Sequence, residues 1–384
     1  MAVGFNSLTD PDYANLDYGD GKFQKNKESK KMSLVDMLKK TSTIKASDVL
    51  DVSKFFTKAD MVTTSVPAMN VALSGKLDGG FVPGLTLFAG PSKHFKTSFS
   101  LLLVKAYMDK YPDSALLFYD SEFGTPQDYF KSFGIDTSRV LHTPITNIEE
   151  LKFDVMKQLE AIERGARVII VIDSIGNLAS KKEFDDAMDG KSVADMTRAK
   201  ALKGLFRMVT PHLAMKDIPM IAINHTYQTQ EMYSKAVVSG GTGIYYSSSN
   251  IFIIGRQQEK EGTDVVGYNF IINVEKSRYV REKAKIPITV LFDGGISRWS
   301  GLLEMALESG HVIKPSNGWY SRIDSATGEV EEKKFRLKDT NNKEFWMPVL
   351  TQKPFQDWVE TNYKLATESI MTDDDIEEEL DKVE

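Results

Sequence analysis

The stretch "LFAGPSKHFKTSFS", residues 87–100, decides how the rest of the chain is read. It has the outline of a phosphate-binding loop, G-x-x-x-x-G-K-[ST], set between an apolar run and a helical pattern. Gly90, Lys96 and Thr97 stand where that motif requires them, but Phe95 occupies the place of the second glycine. In such loops, backbone N–H groups and the positive end of the following helix cradle phosphates. The cradle here would be Gly90, Pro91, Ser92, Lys93, His94, Phe95, Lys96, Thr97 and Ser98. Lys96 would reach the β- and γ-phosphates, and the Thr97 hydroxyl would bind Mg²⁺. Glycine at the second position permits close approach and unusual φ. Phe95 is therefore expected in an ordinary backbone conformation, its ring turned away from the phosphates. The competing reading is a chance G-x₅-K-T between a strand and a helix.

Working outward, short apolar runs alternate with longer helical patterns: "LTLFAG", "ALLFYD", "RVIIVID", "IPMIAIN", "NIFIIG", "YNFIINVE" and "IPITVLFD". Runs apolar on both faces suit strands buried between helix layers. Strand–helix alternation implies an α/β fold with a mainly parallel central sheet. The last two runs are read as an antiparallel extension. Residues 1–32 balance five acids against five lysines without apolar periodicity and are expected to be flexible. Residues 33–65 form a small helical segment, opened by a Ser33/Asp36 cap before Leu34, Val35 and Leu38. The main body runs over 66–300, a small C-terminal region over 301–366, and an acidic disordered tail over 367–384.

With no Cys among 384 residues, disulfides, thiolate catalysis and cysteine zinc sites are excluded. No apolar run has the length of a membrane span, and the N-terminus lacks a signal-peptide core. A cytoplasmic protein without membrane partners is the expectation. The last 14 residues carry eight acids and one lysine, so a net charge of −6 leaves the rest of the chain at +1. Such a tail can compete with a polyanion for basic surface, or merely solubilise.

Ligands of open α/β sheets sit at the carboxyl ends of strands. "RVIIVID" ends in Asp173, placed as a metal-binding carboxylate. "ALLFYD" leads into "DSEFG", where Glu122 could polarise an attacking water. "IPMIAIN" ends in Asn224-His225, polar groups able to sense a γ-phosphate. Near the end of "YNFIINVE", Lys276 and Arg278 are two residues apart, and period-2 geometry would project them from one face. Two adjacent cations call for an anion or acidic partners; the bland alternative is a solvated basic edge.

These residues carry a resemblance. "SVPAMNVALSGKLDGGFVPGLTLFAGPS", "YDSEFG", "VIDSIGNLASKKE", "IAINH" and "SGGTG" follow one another as in RecA-family recombinases. Within that family the chain is most similar to the branch of T-even-like phages, whose P-loop also carries Phe at the second glycine. The resemblance spans roughly residues 33–360. It implies a RecA-like P-loop ATPase core using ATP and Mg²⁺, with Glu122 as catalytic glutamate and Asp173 as Walker-B aspartate. Tyr129 would stack on adenine, unless it is a plain core tyrosine. His225 takes the place of a phosphate-sensing glutamine. Two loops, around "KKEFDDAMDGKSVADMTRA" and over residues 226–243, would face DNA, with Arg198, Tyr227, Met232, Tyr233, Lys235, Gly240 and Gly241 as candidate contacts. Lys276 and Arg278 would reach the γ-phosphate held by the next protomer.

The implied activity is DNA-dependent ATP hydrolysis by helical filaments on single-stranded DNA, with pairing and strand exchange against a homologous duplex. Residues 33–62, including Ser53, Lys54, Phe55 and Phe56, would dock on a neighbour. A recombination mediator and a single-stranded-DNA-binding protein are implied as partners. Two alternatives stay open. A hexameric helicase of the same core would form closed rings, and a non-catalytic regulatory paralogue would bind DNA without hydrolysis.

Overall fold

The computed structural model describes residues 33–53, 60–191, 196–229 and 236–365. Expectations placed on residues 1–32, on Lys54, Phe55 and Phe56, on Met232, Tyr233 and Lys235, and on the acidic tail lie outside these residues. The chain divides into two compact units, 1–57 and 58–384. The division falls before residue 65, and the C-terminal region belongs to the larger unit. In the smaller unit, α1 (Leu34–Thr41) starts at Ser33, whose hydroxyl accepts the Asp36 N–H at 3.1 Å. That cap satisfies one of the donors left open at a helix start. Leu34, Val35 and Leu38 on α1 are exposed.

The larger unit begins with α2 (Pro67–Ser74), β1 (Gly84–Ala89), α3 (Lys96–Lys110), β2 (Ala115–Asp120), α4 (Gln127–Ser132) and β3 (Val140–Pro144). It continues through α5 (Ile148–Ala161), β4 (Val168–Asp173), α6 (Lys181–Met188), α7 (Met196–Lys216), β5 (Pro219–Asn224), β6 (Thr226–Gln228), β7 (Ala236–Val238) and α8 (Thr242–Ser247). Then come β8 (Asn250–Glu261), β9 (Asp264–Ser277), β10 (Lys285–Leu291) and β11 (Gly295–Ile296). The C-terminal region adds α9 (Leu302–Glu308), β12 (Val312–Ser316), β13 (Trp319–Arg322), β14 (Phe335–Arg336), α10 (Lys343–Leu350) and α11 (Lys353–Tyr363).

Among the described residues, nine strands form one sheet in the order β11-β10-β9-β8-β1-β5-β4-β2-β3. Strands β8 to β3 along that order are parallel, and β9, β10 and β11 extend the sheet antiparallel. The parallel strands β1, β2, β4 and β5 are buried on both faces, as their continuous apolar runs require. Phe88, Leu116, Phe118, Ile169, Val171 and Ile221 point into one core, shared with α3 and the C-terminal region. Leu87, Leu117, Tyr119, Ile170, Ile172 and Met220 point into the other, beneath α5 and α7. Period-2 alternation thus divides each strand between two cores.

Register makes the functional edge. Asp120 lies beside Asp173, and Ala89 beside Asn224, so the carboxyl ends of β1, β2, β4 and β5 finish together. Among the described residues no helix is long and apolar enough to cross a membrane.

Candidate nucleotide site

The P-loop connects β1 to α3. Phe95 has φ 60° and ψ 17°, a left-handed conformation, which corrects the expectation of an ordinary backbone there. The strain, on the order of 1–2 kcal/mol for a residue with a Cβ, is offset by the ring. Phe95 stacks on Phe270 of β9 with centroids 5.1 Å apart and meets Phe99 edge-on at 5.5 Å. The loop therefore keeps the geometry that a glycine would supply, and an aromatic cluster fixes it. The ring packs against the core through Phe99 and Phe270, and Phe95 also borders the cavity described below.

Lys96 is buried, and its ammonium donates to the carbonyls of Gly90 at 3.0 Å and Pro91 at 2.7 Å. Burial pulls its pKa down, while Glu122 and Asp173 oppose the shift. The Thr97 hydroxyl donates to Asp173 Oδ2 at 2.7 Å. Burial pushes the Asp173 carboxyl up to about 6, against that hydrogen bond. Its other oxygen, Oδ1, is buried without a hydrogen-bond partner. An orphaned carboxylate oxygen beside a P-loop hydroxyl is a donor set suited to Mg²⁺. Among the described residues no group of three or more His, Asp or Glu could hold a metal alone. The ion would be completed by phosphate oxygens and water.

Glu122 follows β2. Its Oε1 accepts from the Ser174 hydroxyl at 2.6 Å and Asn177 Nδ2 at 3.1 Å, and His225 Nε2 lies 3.1 Å away. The His225 contact, and then Ser174, hold the carboxyl below its ordinary value despite partial burial. Among the described residues Oε2 has no hydrogen-bond partner. Asp120, which sequence reasoning passed over, shapes this corner. Its Oδ1 accepts the N–H groups of Glu122 at 3.0 Å and Phe123 at 2.7 Å, and its Oδ2 lies 3.1 Å from His142 Nε2.

A cavity of about 760 Å³ joins these groups; the P-loop, Glu122, Asp173, His225 and Tyr129 all line it. Tyr129 borders the cavity, bonds through its hydroxyl to Ser98, and packs on Phe133. Arg256 of β8 was not anticipated. Its Nη1 donates to the Lys93 carbonyl at 3.3 Å and its guanidinium lies 4.8 Å from the Tyr268 ring.

Residues 39–297 match the family model described as RecA N-terminal domain. The chain belongs to the RecA family. Residues 299–359 match the model described as Bacteriophage T4, Recombination and repair protein, C-terminal domain. The recombination and repair protein of Enterobacteria phage T4 is 53% identical over 354 residues, covering 91% of this chain and 90% of that protein. Protein RecA of a Nocardioides species is 26% identical over 70% of this chain and 75% of its own length. Protein RecA of Streptomyces rimosus is 27% identical over 71% of each.

In this RecA-family chain the remaining candidate residues occupy distinct surroundings. Tyr227 is exposed on β6, which pairs antiparallel with β7. Gly240 and Gly241 both have positive φ at the entry to α8, a backbone turn that glycine adopts without strain. Arg198 does not present a free guanidinium to a ligand. It donates to the carbonyls of Ile175, Gly176 and Leu178 and to the Ser239 hydroxyl.

Lys276 pairs with Ile251, and Ser277 with Asn250, whose parallel partner is Thr86 of β1. Lys276 and Arg278 therefore lie at the sheet edge opposite the P-loop of their own chain. The pairing slips between Ile251 and Phe252, which leaves Glu275 as an extra residue, and β9 ends at Ser277. The period-2 argument consequently does not extend to Arg278, which is exposed beyond the strand. The Lys276 ammonium donates to the carbonyls of Tyr245 at 2.6 Å and Ser248 at 2.9 Å, at the end of α8.

Proposed function

We propose that this RecA-family chain is a DNA-dependent ATPase that assembles as a filament on single-stranded DNA and exchanges strands with a homologous duplex. One observation carries the reading. The bases of two loops, through Ser174 and Asn177 on one side and His225 on the other, converge on a single carboxylate oxygen of Glu122. Binding of a polyanion that reorders either loop would reset this carboxylate without touching the nucleotide.

Lys96 would exchange its two carbonyls for phosphate oxygens, a stronger, charge-assisted partner. Thr97 and Asp173 would hold Mg²⁺, which when bound neutralises charge developing on the phosphates. Glu122, fixed through Oε1, would use Oε2 to orient and polarise the attacking water. Its lowered pKa keeps it ionised at neutral pH. Lys276 and Arg278 cannot serve their own P-loop from the opposite edge, which favours action on a neighbour's nucleotide. A filament on single-stranded DNA must replace whatever coats that strand, so a mediator and a single-stranded-DNA-binding protein belong to this reading.

The test is ATP hydrolysis with and without single-stranded DNA, followed by strand exchange with homologous and non-homologous duplexes. Stimulation by DNA together with exchange restricted to homologous pairs is expected. Equal hydrolysis without DNA, or exchange indifferent to homology, would refute the proposal. Electron microscopy showing closed rings would point to a helicase.

A further inference from the structure

We infer that Arg198 is a positioning residue that yokes the bases of the two loops to each other, and through them sets Glu122, rather than a contact to DNA. The inference rests on the reading of Glu122 as the water-orienting carboxylate.

A guanidinium has five N–H donors in a fixed fork. In Arg198, Nε donates to Leu178 O at 2.9 Å, and Nη2 to Ile175 O at 2.8 Å and Gly176 O at 2.9 Å. Nη1 donates to the Ser239 hydroxyl at 3.2 Å. Three carbonyls of the turn after β4 and one hydroxyl from the returning arm of the β6–β7 ribbon thus share one half-buried cation. The fork is committed inward, and little of it remains for a phosphate.

Both ends of this yoke lead to Glu122. The turn that Arg198 gathers carries Ser174 and Asn177, which donate to Glu122 Oε1. On the other side, the Ser239 N–H donates to the His225 carbonyl at 3.0 Å, and the Asn224 side chain donates to the Ser239 carbonyl at 2.7 Å. His225 is the third group on Glu122 Oε1. The two routes also touch directly. A Cβ at Gly176 would lie 2.3 Å from His225 Cδ2, so only glycine lets the turn pass against that ring. Movement of either loop base is therefore felt at Arg198, and a displaced Arg198 releases the groups on both sides of the carboxylate. A misplacement of about 1 Å at a catalytic group can lower a rate roughly 100-fold.

Arg198→Gln and Arg198→Lys separate this role from a DNA contact. Lysine keeps the charge but cannot reproduce a fork onto three carbonyls. Both variants should lose DNA-stimulated kcat by roughly tenfold or more, with KM for ATP little changed. Their affinity for single-stranded oligonucleotide should keep the wild-type dependence on salt. A phosphate contact predicts the reverse: the slope of log K against log salt falls by about 0.7 in Arg198→Gln, and Arg198→Lys restores both slope and activity. That pattern would overturn the inference. Ser239→Ala, which removes one hydrogen bond and no charge, should give a weaker defect that does not add to that of Arg198→Gln; full additivity counts against a shared yoke. Circular dichroism and thermal melts check that each variant folds. If wild-type protein shows no DNA-stimulated hydrolysis, the reading of Glu122 fails, while the salt slope still decides whether Arg198 meets phosphate.

Discussion

Two lysines at opposite edges of the sheet share one posture. Lys96 rests on the carbonyls of Gly90 and Pro91, and Lys276 on those of Tyr245 and Ser248. Both are desolvated, and both have their pKa drawn down by it. Their surroundings differ. Lys96 has Glu122 and Asp173 close enough to favour its charge, whereas Lys276 is pushed further down by Arg278 and only partly supported by Glu282. A cation held by neutral dipoles is parked, because an anion offers a stronger partner. The first lysine is parked beside the site it would serve. The second is parked against α8, at the end of the sheet where its own chain has no P-loop.

This contrast can be broken experimentally, and the largest effect is expected at the first lysine. Lys96→Ala should reduce hydrolysis by about 10³ and weaken ATP binding as well, since its charge faces phosphate in ground and transition states alike. Undiminished hydrolysis would remove the P-loop reading.

Lys276→Ala combined with Arg278→Ala should lower DNA-stimulated hydrolysis by roughly 10²-fold while nucleotide binding to each protomer persists. Mixing that double variant with Glu122→Gln should recover part of the rate, because one interface can then join an intact Glu122 to intact cations. Mixed filaments that assemble without any recovery would show that Lys276 and Arg278 do not act on a neighbour's nucleotide.

A quieter effect concerns the carboxylate that supports Lys96. A folded pKa of about 6 for Asp173, above its ordinary 3.8, means that the folded chain takes up this proton more readily than the unfolded one. The associated stability is complete below about pH 4 and is lost as pH rises through 6. Asp173→Asn, neutral throughout, should therefore stabilise the nucleotide-free protein at pH 8 by up to roughly 2–3 kcal/mol and leave it little changed near pH 4. Chemical denaturation at the two pH values measures this, and equal effects at both would show that Asp173 does not titrate as described.

The smallest change is expected at Phe95→Gly. Glycine relieves the left-handed strain but forfeits the contacts with Phe99 and Phe270. A net loss of about 1–2 kcal/mol follows, read as a fall of a few degrees in thermal midpoint. A gain in stability would mean that backbone strain outweighs the aromatic cluster.

Much of the sheet was legible because buried parallel strands are written as continuous apolar runs. The third strand was not, since Val140–Pro144 is an edge strand with exposed Leu141 and His142 and no such run. The β6–β7 ribbon and β11 have two or three residues per strand, too few for alternation to register. Lys96, Thr97, Glu122 and Asp173 could be placed because each sits at a strand end or P-loop position, and the register brings them together. Phe95 was misjudged in backbone. Its left-handed φ is stabilised by Phe270, a partner distant in sequence. The partners of Arg198 were hidden for a related reason: its carbonyl acceptors come from a turn whose shape no motif specifies. The bulge at Glu275 likewise leaves no mark on the alternation that suggested a common face.

Strand β9 has one further consequence, which is metrical. Tyr268 and Phe270 near its start line the nucleotide cavity, and Lys276 stands near its end. With the bulge at Glu275, Tyr268 to Lys276 lies opposite Gln258 to Ile251, seven strand steps that at the usual antiparallel rise span about 24 Å. If Lys276 answers to the next nucleotide along a row of protomers, this strand works as a gauge block, and its covalent length helps set the spacing between successive sites. Lengthening β8 and β9 together by two residues between these points would then change the repeat of the assembly while leaving each nucleotide cavity intact.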